Sequence, residues 1–276
     1  MDFIKYRSRG SSVAFLQELL EKCGYELTAS GYFGLETEEA VKDFQTKNQL
    51  VIDGKVGVKT WTVLLSKTRP AEAFGDKFLE ENDLINFAEK HELKLAAVKA
   101  VNEVESSGKG FLIDGKPKIL FEGHVFWREL KKRGIDPKAI SNFSNADVLY
   151  PSWTKQHYLG GIREYERLEK AKGLGDSENY NEAALASCSW GSYQIMGFHA
   201  EALGYSSVQQ FADEMAGHER NHLEAFGKYL QTYGCMKHLR NLDWTKFAEC
   251  YNGPAQALNH YDSKMKKAYE RFNTNS

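Results

Sequence analysis

The stretch AVNEVESSGKGF, residues 100–111, decides how this chain is read. It closes a helical pattern in which Leu95, Val98, Val101 and Glu105 fall on one face, so a carboxyl group takes a place an apolar side chain would ordinarily fill. Ser106, Ser107 and Gly108 end that helix. Downstream, GFLIDGKPKILFEGH (residues 110–124) sets two apolar runs on either side of Asp114-Gly115-Lys116-Pro117, which reads as a β-hairpin and is the chain's only convincing strand signal. A carboxyl group held where a helix's apolar face meets a hairpin is poorly solvated. Desolvation disfavours the charged form and raises the pKa, which is what a proton donor near neutral pH requires. Glu103 lies off that face and reads as solvated.

The rest of the chain bounds the setting. Its 276 residues suit one large domain, or a small one joined to a medium one. A content of 42% hydrophobic, 27% charged and 13% aromatic residues is that of a soluble globular protein and argues against extensive disorder. Thirty-six basic residues against 38 acidic ones give a formal charge of -2 without long runs of one sign, which argues against a general nucleic-acid binder. The N-terminus, MDFIKYRSRGSSVAF, is interrupted by charges and lacks the apolar core of a signal peptide; no segment approaches the length of a membrane span. Synthesis in the cytoplasm without stable membrane insertion is expected, and the chain is read as a monomer. Cys23, Cys188, Cys235 and Cys250 are irregularly spaced without a CxxC, so all four are expected to be reduced packing residues.

Residues 12–66 contain a weak internal repeat. GYFGLETEEAV from Gly31 matches GKVGVKTWTVL from Gly54, with Gly31/Gly54, Gly34/Gly57 and Thr37/Thr60 all offset by 23 positions. Each copy reads as a glycine turn followed by a threonine that caps a short helix. An earlier helix carries Val13, Leu16, Leu19 and Leu20 at helical spacing, so three short helices form a small bundle. With Phe44-Gln45, the DGxxG of Asp53 to Gly57, and Thr60-Trp61, this segment resembles the small helical peptidoglycan-binding domain found at the ends of many cell-wall hydrolases. The resemblance implies affinity for bacterial peptidoglycan, with Asp53, Gly54 and Trp61 as candidate wall contacts. The alternative is that the glycines only shape turns and Trp61 only packs.

Between Ser66 and Asn82 the periodicity lapses and Pro70 and Gly75 appear, marking a linker over 69–82; Asp83 is placed as the cap of a helix running to about His91. Three further motifs then follow in order: Glu105-Ser106-Ser107, Gly191-Ser192-Tyr193-Gln194-Ile195-Met196, and Tyr251-Asn252-Gly253-Pro254. They resemble the Glu-Ser, Gly-x-x-Gln-Ile and Tyr-Asn-x-Gly motifs of the lysozyme and lytic-transglycosylase superfamily. More closely, VESSGKGF, ILFEGHVFW and SWGSYQIMGFH are similar to the N-acetylmuramidase domain of phage endolysins. The Tyr251 motif lacks the extra residue that transglycosylases usually carry between Asn and Gly.

The resemblance implies a mainly α chain: a three-helix wall-binding domain over 1–68, then a lysozyme-like α+β domain over 83–276 with one small β-hairpin sheet. It implies that Glu105 protonates the leaving glycosidic oxygen, and that Tyr193, Gln194, Tyr251 and Asn252 line the sugar cleft. The same tyrosines have the properties of packing residues. It also implies a protein that accumulates in the host cytoplasm and reaches the wall through a separately made membrane lesion, without metal or cofactor.

A second carboxylate is needed, and Asp114 and Glu122 compete. Asp114 sits in a turn, where aspartate is favoured for local hydrogen bonding alone. Glu122 follows Ile119-Leu120-Phe121, and strand alternation puts it on the side of Leu120 and His124; a carboxylate in an apolar strand seldom lacks a partner or a task. Glu122 is therefore preferred. His124 either orients Glu122 or caps the following helix.

Two rival readings remain. HERNH, residues 218–222, fits the HExxH of zinc peptidases, but Ala225 and Lys228 fill the last two places of the extended HExxHxxGxxH form. Met215, His222, Phe226 and Tyr229 instead trace one helical stripe with His218 a turn before His222, a packing face rather than a metal pair. A wall-binding protein without activity is the third class, against which the retained Glu105 argues.

Overall fold

Two buried glutamines, Gln17 and Gln45, organise the first helices. These helices are α1 (Ser11–Lys22), α2 (Leu35–Lys47) and α3 (Val58–Thr68), and they belong to the smaller of two compact units, Met1–Gly75 with Leu159–Arg163. The computed structural model describes residues 3–68, 77–106, 110–112, 114–253 and 260–274. Val13, Leu16, Leu19 and Leu20 of α1 are fully buried, as their spacing predicts. Thr37 and Thr60 are not caps. Each lies inside the first turn of its helix, buried, and accepts a hydrogen bond from a glutamine Nε2: Gln17 to Thr37 Oγ1 at 2.8 Å, Gln45 to Thr60 Oγ1 at 3.3 Å. The same glutamines accept the amides of Gly31 and Gly54, each at 3.0 Å, where the backbone takes the left-handed conformation that glycine adopts at least cost. The repeat unit is thus a glutamine, a glycine turn and a threonine. Every polar group at its centre is paired, without which burial would be costly.

The second unit, Asp76–Tyr158 with Glu164–Ser276, begins with α4 (Glu81–Lys90) and α5 (Leu95–Ser106). Helix α4 starts two residues ahead of Asp83, whose carboxylate accepts the Glu80 amide at 3.0 Å from inside the first turn and pairs with Arg220 at 2.5 Å. After β1 (Ile119–Phe121) come α6 (Gly123–Lys132), α7 (Pro137–Ile140), α8 (Arg163–Lys172) and α9 (Glu178–Ala186), then β2 (Cys188–Trp190) and β3 (Ile195–Met196). Helices α10 (Val208–Gly217), α11 (Glu219–Thr232), α12 (Met236–Arg240), α13 (Trp244–Asn252) and α14 (Tyr261–Thr274) complete it. Val98 and Val101 of α5 share one core with Phe121, Trp190, Phe226, Phe247 and Met265. The chain is mainly α, with a lysozyme-like second part and one small sheet.

That sheet differs in its pairing from the expected hairpin. Strand β1 pairs antiparallel not with residues 110–112 but with β2, in the register Ile119↔Trp190 and Phe121↔Cys188, and β2 pairs with β3. Residues 110–112 meet 116–118 at the Phe111↔Pro117 bridge, where the Leu112 amide donates to Lys116 O at 2.7 Å and the Lys118 amide to Gly110 O at 2.8 Å. Cys188 and Trp190, both buried, offer β1 an apolar partner instead.

The cysteine expectation is also corrected. Cys235 and Cys250 form a disulfide, while Cys23 and Cys188 are free. The short α12–α13 hairpin brings the two α-carbons to 5.6 Å, within the range a disulfide spans.

Among the described residues, no helix is long and apolar enough to cross a membrane.

Candidate active site

Glu105 lies in the last turn of α5, on the face that Val98 and Val101 bury. Its Oε1 accepts a hydrogen bond from Asn252 Nδ2 at 2.9 Å. Tyr193, Tyr251 and Tyr261 are near enough for their hydroxyls to feel the carboxylate's charge. Desolvation is the larger influence and pushes the carboxyl up to about 7; the Asn252 hydrogen bond opposes it. A side chain so placed holds its proton near neutral pH and can release it.

Tyr193 and Tyr251 build this setting more than they line an open cleft. Tyr193 is only 4% exposed, its ring stacks on Phe226 at 4.4 Å, and its hydroxyl donates to Asn102 Oδ1 at 2.9 Å. Tyr251 donates its hydroxyl to the Tyr193 carbonyl at 2.7 Å. Gln194, in the left-handed conformation at φ 49°, spans the β2–β3 turn: its Nε2 donates to Gly191 O at 2.8 Å and its Oε1 accepts Ser189 Oγ at 2.9 Å. Of the four expected cleft residues, Asn252 touches Glu105 directly, while the two tyrosines and Gln194 bond the surrounding backbone and side chains.

Glu122 forms a second group. It is not within a strand but at the junction of β1 and α6, as the N-cap of that helix. Tyr158 donates its hydroxyl to Oε1 at 2.7 Å, and His124 Nδ1 lies 3.3 Å from Oε2. Among the described residues no hydrogen bond reaches Oε2. Desolvation raises this carboxyl; the Tyr158 hydrogen bond, then the charges of His124 and Arg167, work against it. The flanking backbone is pinned by a buried ion pair. Arg167 Nη1 donates to Glu164 Oε2 at 2.9 Å and to Phe121 O at 2.7 Å, and the Phe121 amide donates to Glu164 at 3.2 Å. Gly123 donates to the Tyr150 hydroxyl at 3.2 Å, and a Cβ there would lie 2.3 Å from the Tyr150 ring. Tyr158, Glu164, Arg167 and Asn102 escaped the sequence reading. Only the i,i+3 spacing of Glu164 and Arg167 beside Leu168 in α8 hinted at a buried pair.

Asp114 accepts the Lys116 amide at 3.2 Å, the local turn bond expected of it. The candidate wall contacts are largely occupied within their own unit. Trp61 is 3% exposed and packs against Phe15, Gly54 is buried, and Asp53 Oδ1 accepts from Gln45 Nε2 at 3.1 Å and the Lys55 amide at 2.9 Å. An open cleft of about 470 Å³ lies instead at the first copy of the repeat, lined by Tyr6, Ser30, Tyr32, Leu35, Glu36 and Thr37.

HERNH does not form one helical face. Helix α10 stops at Gly217, His218 is extended at φ −151° and ψ 148°, and α11 starts at Glu219, so Met215 and His222 belong to different helices. His218 caps α11 by accepting the Arg220 amide at 2.8 Å, whereas His222 is buried. Among the described residues, no three His, Cys, Asp or Glu side chains are grouped to hold a metal ion.

A mainly helical unit with a small antiparallel sheet thus holds the Glu105 carboxyl, half-buried, at a helix end, and the family match makes this unit a lysozyme-like glycoside hydrolase. Residues 94–273 match the N-acetylmuramidase family, and this chain belongs to it. Residues 9–64 match the peptidoglycan binding domain, so the chain has the modular order of a phage endolysin, and peptidoglycan is its partner and substrate. It is similar over 99% of its length to all of the chain in the crystal structure of Burkholderia AP3 phage endolysin, at 38% identity and a TM-score of 0.67.

Proposed function

We propose that this protein is an endolysin that cleaves the β-1,4 bond between N-acetylmuramic acid and N-acetylglucosamine, with Glu105 as general acid. The observation that carries the reading is the Glu105 carboxyl, desolvated to a pKa of about 7 and held by the Asn252 amide. Such a group is about half protonated at neutral pH, so it can give a proton to the leaving oxygen and take one back as a base. Glu122 is the second carboxylate. Tyr158 holds its Oε1, and its Oε2, which accepts no hydrogen bond among the described residues and has His124 Nδ1 3.3 Å away, is the oxygen left to take a proton from the incoming water. Asp114, tied to its own turn, supports no such role. The 470 Å³ cleft of the first repeat, rather than Asp53, Gly54 or Trp61, is the surface we assign to gripping the wall. Its two tyrosines and several hydroxyls suit the apolar faces and polar edges of glycan.

The test is reducing-end release from purified peptidoglycan by wild type, Glu105→Gln and Glu122→Gln, with mass spectrometry of the products. Both variants are expected to lose activity, and wild type to release hydrated reducing ends. Wild-type activity in Glu105→Gln would overturn the assignment, and 1,6-anhydro products would replace hydrolysis with transglycosylation. For the wall module, Tyr32→Ala in a Glu105→Gln background is expected to weaken sedimentation with peptidoglycan.

A further inference from the structure

Glu219 and His222, two members of HERNH, sit on α11. His222 Nε2 lies 2.7 Å from the Met215 carbonyl. A carbonyl only accepts, so Nε2 carries the proton and Nδ1 is left as an acceptor. Nδ1 accepts the Ser192 amide at 3.1 Å, with Ser192 Oγ also at 3.1 Å. Burial pushes the imidazole down to about 4, so the ring stays neutral where the enzyme would work. Glu219 accepts two amides at 3.0 Å, Gly110 on Oε1 and Leu79 on Oε2. The backbone approaches these side chains as closely as glycine permits. A Cβ on Gly110 would stand 2.4 Å from Ser192 Oγ and 2.7 Å from His222 Nδ1, and one on Gly191 would stand 2.8 Å from the His222 ring.

We propose that His222 is a positioning residue for Glu105: by accepting the Ser192 amide it fixes the Gly191–Tyr193 turn, and Tyr193 in turn fixes both sides of the acid. On one side the Tyr193 carbonyl receives the Tyr251 hydroxyl, and Asn252, the next residue, donates to Glu105. On the other the Tyr193 hydroxyl donates to Asn102, one turn before Glu105 on α5. The inference rests on Glu105 being the acid and extends that reading to a residue that never meets substrate. Misplacing a reacting group by about 1 Å costs on the order of 100-fold in rate, so a bond this far from the chemistry governs turnover through geometry.

The experiment compares full-length His222→Leu, which removes both nitrogens, with His222→Asn, whose amide oxygen restores an acceptor near Nδ1. The folded fraction is measured by circular dichroism, and kcat and KM on solubilised peptidoglycan glycan. The expected result is a kcat lowered about 10- to 100-fold in the leucine variant with KM nearly unchanged, and recovery to within about threefold in the asparagine variant. A folded leucine variant with wild-type kcat, a loss confined to KM, or a loss that asparagine leaves unrestored would overturn the proposal. Should leucine prevent folding, Tyr251→Phe removes the link between Tyr193 and α13 while sparing HERNH. It is then expected to lower kcat to a similar extent, and an unchanged kcat would overturn the proposal. Glu105→Gln run alongside separates the two readings. Its activity would sink the acid assignment, whereas an inactive Glu105→Gln beside a fully active His222→Leu would sink only the positioning role.

Discussion

Asn252 Nδ2 donates to Glu105 Oε1 across 2.9 Å, joining side chains 147 residues apart in the chain. This bond and desolvation pull the carboxyl in opposite directions, and desolvation wins, leaving it at about 7. A donated hydrogen bond stabilises the ionised form, so its loss raises the pKa further. The basic limb of the kcat/KM profile, where the acid loses its proton, is therefore expected to fall near pH 7 in wild type and to move up by about 1 unit in Asn252→Ala. A pH–rate series on both proteins checks this. A limb that stays put, or moves down, would show that Asn252 does not act on the Glu105 proton.

Glu105 also carries a stability signature. Its carboxyl rises from an ordinary 4.5 to about 7 on folding, so the native state binds more protons than the unfolded chain between those values. The stabilisation is fully present below the unfolded value and is lost as pH rises through the folded one. A glutamine has no charge to desolvate. Glu105→Gln is thus expected to be more stable than wild type by about 2 kcal/mol at pH 8, less than a fully enclosed group would give, and to lose most of that advantage by pH 4.5. Urea unfolding at the two pH values measures it, and a difference independent of pH would contradict the desolvation account.

The placement of Glu105 was legible in sequence because helical periodicity is local. Val98, Val101 and Glu105 declare a shared face within a few turns, and Val98 and Val101 are buried where that spacing puts them. The other two strands of the sheet were not legible, since β2 and β3 are three and two residues long and offer no alternation to read. The surroundings of Glu122 were hidden for another reason. Tyr158 and Glu164 reach it and its flanking amide from 36 and 43 residues away, so no local pattern foretells them. In the wall-binding unit the repeat was visible but its logic was not. The glycines and threonines recur in register, while the glutamines that unite them lie on the preceding helices. HERNH misled because sequence spacing assumes a continuous helix, and the chain breaks at His218.

Tyr158 offers a second entry to the chemistry. Its hydroxyl donates to Glu122 Oε1 at 2.7 Å and stabilises the ionised carboxylate against desolvation. Tyr158→Phe removes that donor and raises the Glu122 pKa. If Glu122 works ionised, the acid limb of the pH profile moves up, and activity on that limb falls more than activity at the optimum. Equal losses at every pH would mean that Tyr158 serves packing alone and leaves the Glu122 proton untouched.

The Cys235–Cys250 bond joins the start of α12 to the last turn of α13, immediately before Tyr251 and Asn252. Closing a loop with a separation of 15 residues restricts the unfolded chain, a contribution of about 3 kcal/mol on the chain-entropy account. Helix α13 has other anchors, since Trp244 and Phe247 lie in the core and the Tyr251 hydroxyl holds the Tyr193 carbonyl. The disulfide therefore contributes to stability more than to the geometry of Glu105. The double variant Cys235→Ser/Cys250→Ser is expected to lose about 3 kcal/mol in urea unfolding while keeping kcat within about threefold of wild type below its Tm, and wild type unfolded in reductant should match it. A variant that keeps its stability but loses kcat would reverse the assignment and make the bond part of what holds Asn252 against the acid.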